Sequence, residues 1–340
     1  MLAAPLAFPA EKPPHITRTI DEPLFDPARH LAPTRPERVW TLEEFGYDAA
    51  TRARTASPVA ITSPFRVLSE EGAAALQGVL RALKADRHIA TGRRLSVFLT
   101  GGVYRSRFLR DLVNAPALVE HFSRIAGTEL APHSIPHFQA YVNYAPDDPT
   151  KAVDTWHVDS LGYDAVMMVS DPTKLKGGRF QFFRGTFQEA MALVGASDEQ
   201  ELTNGWAQDL PEDRIESVAF PGAGWAAFMQ GDFIFHRAAK LEEPGERITL
   251  VPGYMARDLR YPDRVKSRGM QGWRDKHLMT EVTRYAAWLG REKLARLIDE
   301  LRFQDADDRR GLAEKLEAAV ADVLRIAQEM REGAAKQGKE

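Results

Sequence analysis

His137-Phe138-Gln139-Ala140-Tyr141-Val142-Asn143-Tyr144 alternates in character: Phe138, Ala140, Val142 and Tyr144 fall on one parity, His137, Gln139, Tyr141 and Asn143 on the other. A period of two puts the two sets on opposite faces of a strand, one against a core and the polar one looking into a site. Working outward, similar short runs cover Ala165 to Ser170, Arg179 to Phe183, Trp225 to Met229, Phe233 to His236 and Arg247 to Tyr254. Turn signals separate them at Gly177-Gly178, Pro221-Gly222, Gly231-Asp232 and Pro244-Gly245. Many short strands with tight turns predict an antiparallel sandwich or barrel.

Helical spacing flanks this region. Ser69 precedes Glu70 and Glu71 as an N-cap with an acidic first turn, and Ala75, Leu76, Val79, Leu80 and Leu83 follow on one face. A second helical stretch covers Arg107 to Ala126. Beyond Asp258, Leu312, Leu316, Ala319, Val323, Ile326 and Met330 recur at steps of four and three, a seam that packs on the body or on a second subunit as a homodimer. The expected organisation is an extended arm over 1-58, a helical part over 59-135, a β core over 136-258 and a helical extension over 259-340, ending in a frayed tail from Gly333. The fold class is thus mainly β with flanking helices, of the α+β kind.

Composition narrows the chemistry. The chain has 340 residues, 44% of them hydrophobic, enough for a substantial core. A net charge of −3 gives no electrostatic reason to expect nucleic acid or an anionic membrane as partner, which leaves a small-molecule substrate. With no cysteine, disulfides, thiolate metal sites and a thiol nucleophile are all excluded. The opening residues lack a basic stretch before an apolar run, and no uninterrupted stretch of about 18 apolar residues occurs, so a cytoplasmic location is expected.

Any metal must therefore be held by imidazole and carboxylate. Trp156-His157-Val158-Asp159 offers two donors that extended geometry puts on one face, and Phe235-His236 offers a third. Two histidines and one carboxylate on one face suit iron(II) and leave open positions for oxygen chemistry. Arg247 and Thr249 alternate onto one face of the run Arg247-Ile248-Thr249-Leu250, where a guanidinium fork beside a hydroxyl suits a carboxylate. The turn at Leu241 to Glu246 predicts that the strands of His236 and Arg247 pair with each other.

Together these motifs resemble the Fe(II)/2-oxoglutarate-dependent oxygenase superfamily, most closely its phytanoyl-CoA hydroxylase and ectoine hydroxylase-like branch. The resemblance runs from about Pro64 to Asp258. It rests on Gln139 to Pro146, on Trp156 to Asp159, on Gly177-Gly178-Arg179-Phe180-Gln181-Phe182-Phe183-Arg184-Gly185-Thr186, and on His236 with Arg247 eleven positions on. It implies a double-stranded β-helix, a jelly-roll of the cupin kind. It also implies Fe(II) bound by His157, Asp159 and His236, O2 as oxidant, and 2-oxoglutarate held at its far carboxylate by Arg247 and Thr249 and hydrogen-bonded by Asn143. Gln139 would face substrate. With a carboxylate ligand rather than a small residue at 159, hydroxylation, or a related desaturation or ring closure, is implied over halogenation.

The sequence departs from the family where a Pro-Gly-Ser-His turn is usual and Arg184-Gly185-Thr186 stands instead, at the border of the substrate site. Arg184, Arg179 or Lys176 could face a substrate carboxylate there, and Trp156, Tyr163, Phe180 and Phe182 could wall the pocket. With Gln139, Tyr141 and Asn143 on the inward face, a small polar substrate, such as an amino acid or derivative, is expected. A wide basic mouth near Lys174, Lys176 and Arg179 would instead mark an acyl-CoA or lipid hydroxylase. A barrel without metal would mark a non-catalytic binding or assembly module.

Overall fold

The computed structural model of the protein describes residues 2–17, 19–89, 97–148, 150–196, 210–263, 265, 277–303 and 308–337. The first part of the chain supplies helices α1 (Pro27–His30), α2 (Ala49–Arg52), α3 (Glu70–Leu83), α4 (Gly102–Arg105), α5 (Arg107–Val113) and α6 (Pro116–Ala126). Between them run strands β1 (Val39–Thr41), β2 (Val59–Thr62), β3 (Phe65–Arg66), β4 (His88–Ile89), β5 (Val97–Leu99) and β6 (Leu130–Pro132). The centre supplies β7 (Tyr141–Tyr144), β8 (Ala152–His157), β9 (Tyr163–Met168), β10 (Phe180–Phe183), α7 (Phe187–Val194) and β11 (Ile215–Val218). Then follow β12 (Trp225–Met229), β13 (His236–Lys240), β14 (Ile248–Val251), β15 (Gly253–Ala256), α8 (Leu278–Glu300) and α9 (Arg309–Gln337).

Two antiparallel sheets face each other. The large one runs β1-β2-β12-β9-β14-β7-β5-β4, with β3, β6 and β15 at its margins, and the small one runs β11-β10-β13-β8. From β7 to β14 the chain passes back and forth between them, staying in the small sheet only for the β10–β11 hairpin, which winds eight strands into a double-stranded β-helix. Side-chain parity builds two cores on the large sheet. Val142, Ala165, Met167, Phe228, Ile248 and Leu250 turn outward to Leu76, Leu80, Phe108, Leu112 and Phe122 of the helices. Val166, Met168, Ala227 and Met229 turn inward to Phe180 and Phe182 of the small sheet. Each such buried side chain is worth roughly 1.5–3 kcal/mol over exposure. In α3, the Ser69 hydroxyl accepts the Gly72 N–H at 3.0 Å, so the helix starts where the sequence expects.

Several expectations are corrected. The strand expected from His137 begins only at Tyr141, because Pro136–Phe138 forms a 3₁₀ turn. The stretch expected as a strand from Phe233 is a turn in which the Phe233 and Ile234 N–H groups both donate to the Gln230 carbonyl, and β13 starts at His236. Pro252, which has no N–H, divides the last run into β14 and β15, and Pro116 starts a fresh helix within the stretch from Arg107. The strands of His236 and Arg247 do not pair with each other: β13 lies between β10 and β8, β14 between β9 and β7, and the turn at Pro244-Gly245 passes from one sheet to the other. Strands also occur where only arm and helix are expected, β1 at 39–41 pairing with β2. Of the expected tail, residues up to 337 continue α9, and 338–340 lie outside the described residues.

The C-terminal part of the α9 seam packs within the chain, whereas Leu316 of the same seam is exposed. Ile326 and Met330 join Leu278, Val282, Tyr285 and Leu289 of α8, over Ile135, Phe138 and Met255. Two acid groups fasten α8 to the segment before β7: Asp263, reached by His133 Nε2 at 3.4 Å and by the Tyr285 hydroxyl at 2.6 Å, and Glu281, reached by His137 Nδ1 at 2.9 Å and by Tyr104. Among the described residues no helix is long and apolar enough to cross a membrane.

Candidate metal centre

Cross-strand pairing brings His157 at the end of β8 opposite His236 at the start of β13. Their rings lie 4.2 Å apart between centroids. Asp159, two residues past His157, is held by its own N–H donating to the Gly231 carbonyl at 2.8 Å. Its carboxylate reaches both rings: Oδ1 stands 3.4 Å from His157 Nε2 and Oδ2 stands 3.4 Å from His236 Nε2. One donor atom from each of the three residues lies within 4.8 Å of the other two.

The tautomers follow from the partners. His157 Nδ1 is 2.6 Å from the Thr155 carbonyl and His236 Nδ1 is 2.7 Å from the Ile234 carbonyl. A carbonyl only accepts, so each Nδ1 carries a proton, and Nε2 is the ring atom that each histidine turns toward Asp159 and could offer to a metal. Both histidines are buried, and the Asp159 side chain, 21% exposed, marks the open side. Two neutral imidazoles and a carboxylate, without thiolate, are a donor set that fits iron(II).

A second feature lies on the large-sheet wall. Arg247 is fully buried, and its Nε donates to the Gly178 carbonyl at 2.7 Å. Gly178 sits at φ +64°, and a Cβ there would stand 3.0 Å from Arg247 Cδ, so only glycine lets the arginine lie against this turn. Among the described residues Arg247 Nη1 and Nη2 have no hydrogen-bond partner, and neither has Asn143 Oδ1. Leaving buried donors unmade costs about 1–3 kcal/mol each, a cost that a bound carboxylate would remove. Burial pulls the guanidinium down to about 10, against the opposing charge of Asp154. Thr249 is the register partner of Asn143 and of Met168, so all three share the inward face. Tyr141, on the same parity as Asn143, stacks on Phe98 at 5.7 Å.

Two further buried acids, Asp154 and Asp164, stand beside this site. Asp154, three residues before His157, is buried with Oδ2 3.5 Å from His157 Nε2; the β8 register shift turns it inward opposite Ala238. Asp164 is fully buried, and burial, then the charges of Asp159 and Asp232, hold its carboxyl well above the usual range.

The other sequence-derived residues divide. Phe180 flanks the centre, its ring 5.5 Å from that of His236, and Phe182 lies in the inward core. Gln139 is turned to structure: it accepts from Asn114 Nδ2 at 3.1 Å and donates to the His133 carbonyl at 2.8 Å. Trp156 points out of the small sheet, stacked on Phe235 at 5.2 Å under the Arg237 guanidinium, because strand parity opposes it to His157. Tyr163 packs on the helix side against Phe228. Arg184 is exposed, 3.9 Å from Glu216, and does not reach the centre. Arg179 is exposed, Lys174 pairs with Asp171, and Lys176 pairs with Glu243.

Among solved structures, the chain is similar to the non-heme alpha-ketoglutarate-dependent epimerase SnoN from nogalamycin biosynthesis, with 17% identity and a TM-score of 0.42 over 63% of this chain and 83% of that one. It is similar to EctD from S. alaskensis with bound Fe, with 16% identity and a TM-score of 0.40 over 71% and 85%. A Pseudomonas putida prolyl-4-hydroxylase matches with 12% identity and a TM-score of 0.38 over 61% and 96%. No protein-family model matches the chain, and no curated protein does. What its own residues build is a two-histidine, one-carboxylate cluster and a buried arginine with two terminal nitrogens unpartnered among the described residues, inside one double-stranded β-helix.

Proposed function

We propose that this chain is an Fe(II)/2-oxoglutarate-dependent dioxygenase that hydroxylates an unactivated C–H of a small polar metabolite, an amino acid or a derivative of one. The observation that carries it is the pairing of a three-donor metal face with a buried arginine whose two terminal nitrogens lack acceptors. A metal face alone would fit other chemistries, and a buried arginine alone could be structural. Both in one barrel suit a chelating diacid. Fe(II) with 2-oxoglutarate and O2, when bound, supplies oxidation of a substrate C–H with loss of CO2 and formation of succinate.

The chain's own residues set the geometry. His157, Asp159 and His236 hold the metal from one side, and the Thr155 and Ile234 carbonyls fix the imidazoles. Arg247, with Thr249 and Asn143, takes the far carboxylate and so orients the diacid. Phe180, Phe182 and Met168 keep water from the inward space. Asp159 would be the third protein ligand, where a small residue would leave space for a halide, and this favours hydroxylation. Tyr141 on Phe98 offers a ring and a hydroxyl to a small substrate. The paired state of Lys174 and Lys176 does not favour the acyl-CoA reading.

The test is anaerobic titration of the protein with Fe(II) and 2-oxoglutarate, followed by a metabolite panel. A visible metal-to-ligand band should appear only with both present and should shift with a true substrate. His157→Ala and His236→Ala should each abolish the band while leaving the circular dichroism intact. Full turnover in either variant would overturn the metal assignment.

A further inference from the structure

The α8–α9 pair presents an apolar face that the body of the protein does not use. The helices run antiparallel: Thr283 lies beside Met330, Gly290 beside Val323, and Lys293 beside Asp322. One side of the pair faces the barrel, where Arg296 and Glu300 of α8 and Lys315 and Ala318 of α9 line a groove with Leu259 and Tyr261. On the other side, Leu294 and Ile298 of α8 follow at i and i+4, with Leu301 as the extended residue that ends the helix, and Leu316, Val320 and Leu324 of α9 follow at i, i+4 and i+8. The α8 pair and the α9 trio each cover one stripe of their helix. Both stripes turn away from the groove, so they lie together on the solvent side. Exposure agrees: Leu294 36%, Ile298 72%, Leu301 40%, Leu316 56% and Leu324 63%.

We infer that this face docks on the same face of a second copy of the chain, closing a four-helix bundle about a two-fold axis. The size supports it. The five exposed side chains offer roughly 500 Å² per copy before their polar margins, hence about 1,000 Å² between two copies, the lower limit for a specific interface. A patch of that size is at the upper end of what monomers leave uncovered. The shape supports a copy rather than an unrelated partner. Two parallel stripes on an antiparallel helix pair are related to themselves by a two-fold rotation, so α8 and α9 of one copy meet equivalent ridges on the other. Arg291 and Arg331 border the face, and no charge falls within either stripe. This surface differs from the α9 seam at Ile326 and Met330, which α8 already covers. It does not depend on the proposed chemistry.

The test is sedimentation velocity on the full chain across a concentration series, with Ile298→Glu and Leu324→Glu as variants and Lys174→Glu as a control on the barrel. The wild type and the control should dimerise. Each variant should weaken the dimer by about 100-fold or more, because a carboxylate would be buried without a partner. Both positions are exposed in the monomer, so their helical circular dichroism and melting should match wild-type monomer. A wild-type chain that stays monomeric at hundreds of micromolar would overturn the proposal, as would a dimer that both variants leave intact.

Discussion

Arg247 shows what one buried residue can do. Its Nε is committed to the Gly178 carbonyl, and the fork beyond it is open. Arg247→Lys keeps a cation but loses the two-pronged geometry, so the dissociation constant for 2-oxoglutarate should rise roughly 10- to 100-fold while that for Fe(II) changes little. Titration of each ligand in turn checks this, and equal losses for both would point to a structural role. At this scale the sequence was legible where parity and spacing decide. His157 with Asp159, and Arg247 with Thr249, are i, i+2 pairs that need no knowledge of the fold. Trp156 was misread because an aromatic beside a ligand looks like a pocket wall, although its parity sends it outward. Gln139 was misread because a turn at Pro136 breaks the alternation that seemed to carry it inward. Asp154 could not be placed without the register shift in β8, which no residue type announces.

Among elements, the turn between β12 and β13 carries the most constraint. Gly231 gives its carbonyl to Asp159, and a Cβ on it would stand 2.2 Å from Asp164 Oδ2 and 2.4 Å from Asp159 Oδ2. Gly231→Ala should therefore push Asp159 off the metal face, lowering Fe(II) affinity at least about 10-fold, as loss of supporting contacts around a ligand does. Metal titration of the folded variant checks it, and unchanged affinity would mean that Asp164 alone gives way. The arm braces the same turn: Tyr47 donates its hydroxyl to the Phe233 carbonyl at 2.6 Å. Element identity was legible for long periodic stretches such as α3. It was not legible for β1 to β6, which span two to four residues each and offer too few positions for a period to be counted.

For the whole molecule, attachment of α8 sets how the extension and the barrel share stability. Burial works to raise the Asp263 carboxyl, but the hydrogen bond and charge of His133, with the Tyr285 hydroxyl, outweigh it and hold the group below its ordinary value. A carboxyl lowered on folding stabilises above its unfolded value and loses that contribution as pH falls through the folded one. Asp263→Asn should accordingly lower the melting temperature at pH 7 by roughly 2–5 °C, and the gap should narrow below about pH 4. Thermal scans across pH check this, and a constant gap would assign the loss to packing.

The winding order adds a consequence for synthesis. A nascent chain that has reached Met229 already contains β7 to β12, yet each sheet has a vacant lane in its middle, since β13 belongs between β10 and β8 and β14 between β9 and β7. Those lanes are unpaired strand edges, the kind that recruit other chains. The segment that fills both also delivers His236, Arg247 and Thr249, so pairing these unpaired edges also assembles the three-donor cluster and brings in the buried arginine. An ion shared by His157 and His236 would also tie β13 to β8 and so act as a latch on that late insertion.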